Sequence, residues 1–310
     1  MVRPAPAALR ATQILDFLIA HPTQGFTLSQ IARANDMNVA TARTVLAVLT
    51  DTGYVVRHGS SRTFALGPLL VAAGNAALER YPAVDVARKE INRVSREFGV
   101  ELLLTVAAGD DIVAVARAGR VHPHGIDVGR RVPLVPPLGA VFTAWSSEDE
   151  IEKWADRAGD GDPAQTGRYR RILESTATRG YSVALRVREA DGIVSDAIAA
   201  VADSPGGRED FQRAASGLAR VNYHLEDLNG DGPYRVLMIA APVFDAEGRT
   251  LLAISLFDLP APLSATEVVA WGARLRDVGL GVTRATRGEP PTNSRSELRT
   301  DRVTQSKLGS

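Results

Sequence analysis

Hydrophobic residues near the start of the chain recur at helical spacing. The run lies between Ala8 and Ala20. His21 and Pro22, followed by Gly25, end the run. The pattern predicts a first helix, and its apolar residues are Leu9, Ile14, Phe17, Leu18 and Ile19.

A second, short helix is predicted from Leu28 to Asn35. Thr27 and Gln30 have the spacing of a capping box, in which the two side chains satisfy free backbone N–H groups at a helix start. Asn35 and Asp36 then favour a tight turn, because their side chains bond to their own backbone. Two helices joined by so short a turn are typical of a helix-turn-helix.

A third helix is predicted to begin after Asn38, which can cap it, and to reach about Thr52. The residues expected on its buried stripe are Val39, Ala42, Leu46 and Leu49. The residues expected on its outward face are Ala40, Thr41, Thr44 and Ala47.

Two strand-like runs follow, from Tyr54 to Arg57 and from Arg62 to Leu66, joined by the turn residues 58–61. Three helices and a hairpin in about 60 residues describe a winged helix-turn-helix. An alanine- and leucine-rich helix from Leu69 to Arg80 then suits a connection between two domains.

The remainder mixes helices with hairpins, which indicates an α+β fold. Helical patterns are predicted over residues 85–98, 138–145, 147–157, 168–179 and 265–284, and strands over 101–107, 112–118, 236–244 and 250–256. Two further helical segments, 191–202 and 208–227, lie within a long connection that we interpret as an insertion. It would serve as either a lid or a packing arm.

Composition narrows the possible classes of protein. Hydrophobic residues make up 45% of the 310 positions and charged residues 23%, values typical of a soluble globular chain. Cysteine is absent, which excludes disulfide scaffolds, thiolate zinc sites and cysteine nucleophiles. No apolar run reaches the roughly 18 residues needed to cross a bilayer, so we expect a cytoplasmic protein without membrane contact.

The net charge is zero, so attraction to a polyanion must be local. Residues 1–67 contain six arginines against three aspartates, hence a local charge of +3. Such a surface attracts duplex phosphates, and side chains at the start of the third helix would read bases in the major groove. The candidate DNA-binding residues are Thr27, Ser29, Asn38, Thr41, Arg43, Thr44 and Arg62.

Several runs resemble the IclR family of bacterial transcription regulators. In the first domain they are residues 27–33, 38–46, 52–55 and 64–67. In the second they are residues 128–134 with Leu138 and Gly139, and residues 239–245 with Gly248. The likeness covers about residues 8–286 in order.

The resemblance implies an effector-responsive transcription regulator that binds near-palindromic operator DNA as a dimer or tetramer. It also implies a GAF-like effector-binding domain whose ligand is an organic acid or an aromatic metabolite. The residues that it assigns to the effector pocket are Leu138, Gly139, Val236, Met238, Ser255 and Phe257, the last four at alternating strand positions that face one side. These positions also suit an ordinary core.

The domain boundaries follow from these patterns. We expect the winged helix-turn-helix over residues 1–67, the linker helix over 68–80, the effector domain over 81–286 with its insertion near 187–234, and a disordered tail over 287–310. Val39 and Ala40 replace a basic residue and a serine that often open the recognition helix in the family, so the operator sequence does not transfer.

We expect no catalytic residue, metal or cofactor. Residues 227–232 match the first half of a calcium-binding loop, but Met238 stands at the twelfth position in place of a glutamate. His122 and His124 have no third ligand at a recognised spacing. The competing hypothesis is a small-molecule enzyme or sensor in the second domain with a first domain that does not bind DNA, and it predicts turnover by residues 81–286 alone.

Overall fold

A computed structural model describes residues 5–120, 127–158, 162–186, 223–228, 233–260 and 262–291 of the chain. The N-terminal part contains the predicted three helices and hairpin, with one strand more than predicted. In chain order its elements are α1 (Pro6–Ala20), β1 (Phe26–Thr27), α2 (Leu28–Ala34), α3 (Val39–Asp51), β2 (Val55–His58) and β3 (Thr63–Leu66).

Local chemistry explains where these elements begin. Thr27 and Gln30 form the predicted capping box at the start of α2, and the Asn38 side chain accepts a hydrogen bond from the Thr41 backbone N–H at the start of α3. The strands form a three-stranded antiparallel sheet in the order β1-β3-β2. The core between the helices and this sheet consists of Ile14, Leu18, Ile31, Leu46, Leu49, Val55 and Phe64.

Val39 does not belong to that core, contrary to the sequence prediction. Its side chain is 45% exposed, because it occupies the first turn of α3, where the helix projects beyond its neighbours. Val45 packs against the core from the following turn instead. Leu9, near the free end of α1, is likewise 50% exposed.

The linker helix α4 (Leu69–Arg80) has the predicted bounds, and none of its residues is buried. After it, a mixed helix and strand part confirms the α+β fold class. Its elements are α5 (Pro82–Phe98), β4 (Glu101–Ala108), β5 (Asp111–Ala118), β6 (Arg131–Pro133), α6 (Ala140–Thr143), α7 (Glu148–Asp156), α8 (Pro163–Arg179), β7 (Ser182–Leu185), β8 (Val236–Phe244), β9 (Thr250–Phe257) and α9 (Ala265–Ala285).

Six antiparallel strands form the central sheet, in the order β6-β5-β4-β9-β8-β7. One face, which we call the helix face, is covered by α5 and α9 and forms the main core with Ile91, Leu104, Ile254 and Leu275. The opposite face, which we call the open face, carries α6 over β8 and β9, and α7 and α8 pack against α6.

The segment predicted as a helix over residues 208–227 is not helical at its end. Residues 223–227 are extended along the edge strand β7, since the Leu185 N–H donates to the Tyr223 carbonyl at 2.7 Å and the Leu225 N–H donates to the Val183 carbonyl at 3.0 Å. Backbone pairing with an open sheet edge outweighs the helical pattern here. The rest of that segment and the helix predicted over 191–202 lie outside the described residues.

Residues 287–291, predicted as the start of a disordered tail, have a defined conformation in the structure. Arg287 through residue 291 follow α9 back onto the sheet, where the Glu289 N–H donates to the Asp245 carbonyl at 2.9 Å. Gly288 lies so close to the Phe244 carbonyl that an added Cβ would stand 2.0 Å from its oxygen. Residues 292–310 lie outside the described part.

The two parts of the chain also meet away from α4. Gly129, in the loop before β6, has a φ of 87° and lies against α1, where a Cβ would stand 2.1 Å from a methyl carbon of Ile19. The close approach is possible because glycine has no side chain and tolerates this left-handed backbone.

Candidate nucleic-acid and effector sites

The exposed side of α3 is the candidate DNA-reading surface. Arg43 and Thr44 are exposed there, while Thr41 is half-buried at its margin. Among the residues that the structure describes, no carboxylate lies within ion-pair distance of Arg43. An uncompensated guanidinium on the outer side of such a helix can approach a guanine edge or a phosphate.

The hydrogen-bonding groups around α3 divide into engaged and available ones. The Thr27 hydroxyl lies 2.8 Å from Gln30 Oε1, and since that oxygen only accepts, the hydroxyl uses its single proton inside the capping box. Asn38 Oδ1 accepts from the Thr41 N–H at 2.7 Å, which leaves the Asn38 amide protons for another acceptor. Ser29, on the first turn of α2, is exposed.

The wing carries Arg62 at its tip. His58 pairs with Thr63, so residues 59–62 form the loop of the hairpin. Arg62 has a φ of 53°, a left-handed conformation that costs a residue with a Cβ about 1 kcal/mol. The side chain is exposed, at the end of the wing that would lie over the phosphate backbone beside a helix in the groove.

The open face of the central sheet is the candidate effector site. Strand pairing aligns Ser182, Ala240, Ser255 and Leu103 in one row across four neighbouring strands. All four are buried, and only Leu103 is bulky. The row continues to Arg117 on β5, which lies 3.5 Å from Asp127 and 4.0 Å from Glu101. Small side chains and two hydroxyls make this row a suitable floor for a small polar molecule.

An apolar wall borders this row. Ala184 and Tyr223 are buried there together, and Leu138 and Met238 pack against them half-buried. The Leu138 carbonyl accepts a hydrogen bond from Trp154 Nε1 at 3.0 Å, which ties the loop before α6 to α7. Gly139 caps α6 with a φ of 81°, and a Cβ there would stand 2.1 Å from Leu134 Cδ1.

Val236 and Met238 face opposite sides of the sheet, contrary to the sequence prediction. Leu185 pairs with Val236 while Ala184 pairs with Met238, so β8 has one extra residue at Leu237. A bulge of this kind reverses the alternation of side chains. Val236 is therefore buried in the main core of the helix face, whereas Met238 belongs to the open face.

Ser255 faces the open side, and by strand alternation so does the half-buried Phe257, which pairs with Glu101. Ser182 and Leu103 were missed by the sequence prediction, because neither belongs to a recognisable motif. β7 has only four residues, too short a run to show alternation, and its position beside β8 depends on pairing between segments distant in sequence.

Comparison with known proteins identifies the N-terminal part. The family model of the IclR helix-turn-helix domain matches residues 7–59, which span α1 through the start of the wing. Residues 7–59 therefore match an IclR helix-turn-helix domain.

Relatives of known name extend the likeness to both domains. The transcriptional regulator XynR of Escherichia coli K12 is 22% identical over 279 residues, which cover 89% of this chain and 95% of XynR. A solved IclR regulator from Alicyclobacillus acidocaldarius superposes with a TM-score of 0.60 at 20% identity, covering 92% of this chain and 100% of that structure.

A second solved structure is an IclR homologue from Microbacterium hydrocarbonoxydans in complex with 4-hydroxybenzoate. It superposes with a TM-score of 0.56 at 17% identity, and the match covers 91% of this chain and 99% of that one. At these identities the structural comparisons establish that the fold is shared.

Within the described ranges of the chain, no helix is long and apolar enough to cross a bilayer. In the same ranges, no cluster of three or more histidine, aspartate or glutamate side chains could hold a metal ion. The histidines at 122 and 124, and residues 229–232 of the calcium-loop pattern, lie outside the described part of the chain.

His224 is a buried titratable group next to the candidate effector site. Its Nε2 lies 2.9 Å from the Pro137 carbonyl, so the ring links the segment beside β7 to the loop before α6. Burial lowers the pKa of His224 to about 4, although its bonds to the Pro137 and Val183 backbone oppose this. The ring is therefore neutral near pH 7 and donates from Nε2.

We expect the effector domain to lose stability in mild acid because of His224. Between about pH 6.5 and pH 4 the unfolded chain binds a proton that the folded chain excludes, so the free energy of unfolding falls by roughly 3 kcal/mol as the pH falls through this range. Urea unfolding followed by tryptophan fluorescence measures this change in the free energy of unfolding. All three tryptophans lie beyond residue 140, so the signal reports on the effector domain.

His224→Gln is the matched variant, because its amide retains a donor for Pro137 but does not titrate. Its unfolding free energy should be nearly flat between pH 6.5 and pH 5, where few carboxylates titrate. An equal slope in both proteins would contradict the assignment to His224.

Proposed function

We propose that the chain is a cytoplasmic, effector-responsive transcription regulator that binds near-palindromic duplex DNA as a dimer or tetramer. The observation that carries the proposal is the exposed outer side of α3, which presents Arg43 within a winged helix-turn-helix of the IclR type. In such domains the second helix of the motif enters the major groove.

We expect the DNA-binding candidates to have different roles. Arg43 and Thr44 lie where a helix in the major groove meets base edges, with Thr41 at the margin. Ser29, the Asn38 amide and Arg62 suit phosphate contacts, since each is exposed and retains a donor. Thr27 supports these residues indirectly, because its capping box fixes the start of α2.

The effector is expected to bind on the open face, between the small-residue row and the wall at Leu138 and Met238. The hydroxyls of Ser182 and Ser255 can bond to a polar substituent, and the apolar wall can cover a hydrocarbon or ring. We infer that the effector is an organic acid or an aromatic metabolite. The ligand of the Microbacterium homologue has both features.

Self-association is supported by α4. None of its 12 residues is buried within the chain, and Val71 and Leu69 are 66% and 39% exposed. Apolar side chains left together on one exposed helix indicate a protein contact. A second copy of the chain would cover these apolar side chains. It would also supply the second recognition helix that a near-palindromic site requires.

DNA binding by the full chain tests the proposal directly. Duplex sites selected from a random library should bind with a steep salt dependence, since phosphate contacts release counterions. Arg62→Ala should weaken binding to all sequences and reduce the salt slope by about 1, whereas Arg43→Ala should cost about 1–3 kcal/mol and relax base preference at one position.

Arg88→Ala is the matched control, because this arginine is also exposed but lies on α5, in the other domain. It should leave affinity and salt slope unchanged. Failure to enrich any sequence, or binding that is insensitive to salt, would contradict the proposed function and favour the enzyme or sensor hypothesis.

Val71→Glu is expected to dissociate the assembly. Placing a charge at the most exposed apolar position of α4 would bury an unpaired carboxylate in the proposed contact, which costs several kcal/mol. Sedimentation velocity should show a shift to the monomer at concentrations where the unaltered chain associates. Ala164→Glu, at an exposed position in the first turn of α8, adds the same charge elsewhere and should leave sedimentation unchanged.

A further inference from the structure

The outward surface of the recognition helix is unusually rich in methyl groups. Val39 and Val48 are 45% and 58% exposed, which is far more than valines in a folded domain usually are. Ala40, Thr44 and Ala47 are exposed between them. Arg43 is the charged residue on the part of this surface nearest the start of the helix.

The Thr44 hydroxyl proton and Asn38 Oδ1 are already used within the helix at this end of α3, while the Asn38 amide protons and the Arg43 guanidinium remain available. The Thr44 hydroxyl donates to the Ala40 carbonyl at 3.1 Å, and Asn38 Oδ1 caps the Thr41 N–H. A threonine hydroxyl has one proton, so Thr44 has no donor left for a base. With its oxygen turned to the backbone, Thr44 presents its methyl group outward.

Base edges in the major groove carry one apolar group that this methyl-rich surface can contact favourably. Each edge carries donors and acceptors, and the 5-methyl of thymine is the apolar group among them. Covering a donor or acceptor with a methyl group leaves it unsatisfied, which is unfavourable. A methyl-rich helix end therefore discriminates in favour of thymine.

We propose that α3 recognises thymine 5-methyl groups through Val39, Ala40 and Thr44. This inference rests on the proposed function, since it requires α3 to lie in the major groove. It corrects the role of Val39 from core residue to reading residue, and it makes Thr44 a methyl contact. Each half-site then contains thymines opposite the first two turns of α3, beside the base that Arg43 contacts.

Replacing thymine by deoxyuridine tests this, because the exchange removes only the methyl group. After a site has been selected with the full chain, each thymine is exchanged in turn. We expect about three- to fivefold weaker binding for each exchanged thymine that faces Val39 or Thr44, the loss typical of one buried methyl group. Thymines elsewhere in the site should show no change.

Two substitutions at Thr44 separate the methyl group from the hydroxyl. Thr44→Ser keeps the hydroxyl and removes the methyl, so exchanging its partner thymine should have no further effect. Thr44→Val keeps a methyl and removes the hydroxyl, and the full deoxyuridine loss should remain. Circular dichroism establishes that both variants keep their helix content.

The outcomes separate this inference from the proposed function. A selected site whose affinity is unchanged by deoxyuridine at every thymine would overturn the methyl readout and leave DNA binding intact. A deoxyuridine loss that disappears in Thr44→Val and persists in Thr44→Ser would do the same. Failure to select any site would overturn both.

Discussion

Leu46→Ala is expected to abolish DNA binding by unfolding the N-terminal domain. Leu46 is fully buried among Ile14, Leu18 and Ile31, where α3 crosses the other two helices. Truncating a buried leucine to alanine costs about 2–5 kcal/mol, a large part of the stability of a domain of this size. Helical circular dichroism should fall, and the affinity for a selected site should be lost.

The control for this substitution is two positions along the same helix. Val48 is 58% exposed, so Val48→Ala leaves no cavity, and helix content should not change. Tryptophan fluorescence should be unaltered in both variants, because Trp145, Trp154 and Trp271 all lie in the effector domain. A Leu46→Ala protein with normal helix content and normal DNA affinity would contradict the described core.

The second large effect is expected in α9, where Gly279 lies directly on the sheet. A Cβ at this position would stand 2.4 Å from the Pro242 carbonyl oxygen, a backbone atom of β8, which is paired on both sides and cannot move aside. Gly279→Ala should therefore push α9 away from the main core and cost about 1–3 kcal/mol or more. The midpoint of thermal unfolding, followed by tryptophan fluorescence, should fall by several degrees.

Gly281→Ala is the matched control, two residues further along α9. An added Cβ meets no atom within 4 Å there, and alanine favours helix over glycine by about 1 kcal/mol. This variant should therefore unfold at a slightly higher temperature. If both substitutions lowered the midpoint equally, the close contact between α9 and Pro242 would be wrong.

Patterns local in sequence predicted most of the fold. The bounds of α4 and β8 agree with the sequence prediction, because both segments have strong propensity and because Pro68 and Pro82 delimit α4. The three-residue β6 and the two-residue β1 were not predicted, since runs so short carry no periodicity. Their strand character comes from pairing with β5 and β3.

The candidate sites were harder to predict, for two physical reasons. Helical spacing placed Val39 on the buried stripe of α3. Burial also depends on where the neighbouring helices end, and the spacing of apolar residues carries no information about that. Strand alternation placed Val236 beside Met238, but the extra residue in β8 reversed the alternation. In both cases the error came from tertiary context.

The exposed linker helix has a consequence for how a signal could reach DNA. At a rise of about 1.5 Å per residue, the 12 residues of α4 form an arm about 18 Å long. Because none of its side chains is buried, a tilt of about 10° where it joins α5 would sweep its far end through an arc of about 3 Å, close to the step between adjacent base pairs. A small repacking around the sheet could thus change which half-site separation two coupled arms can span.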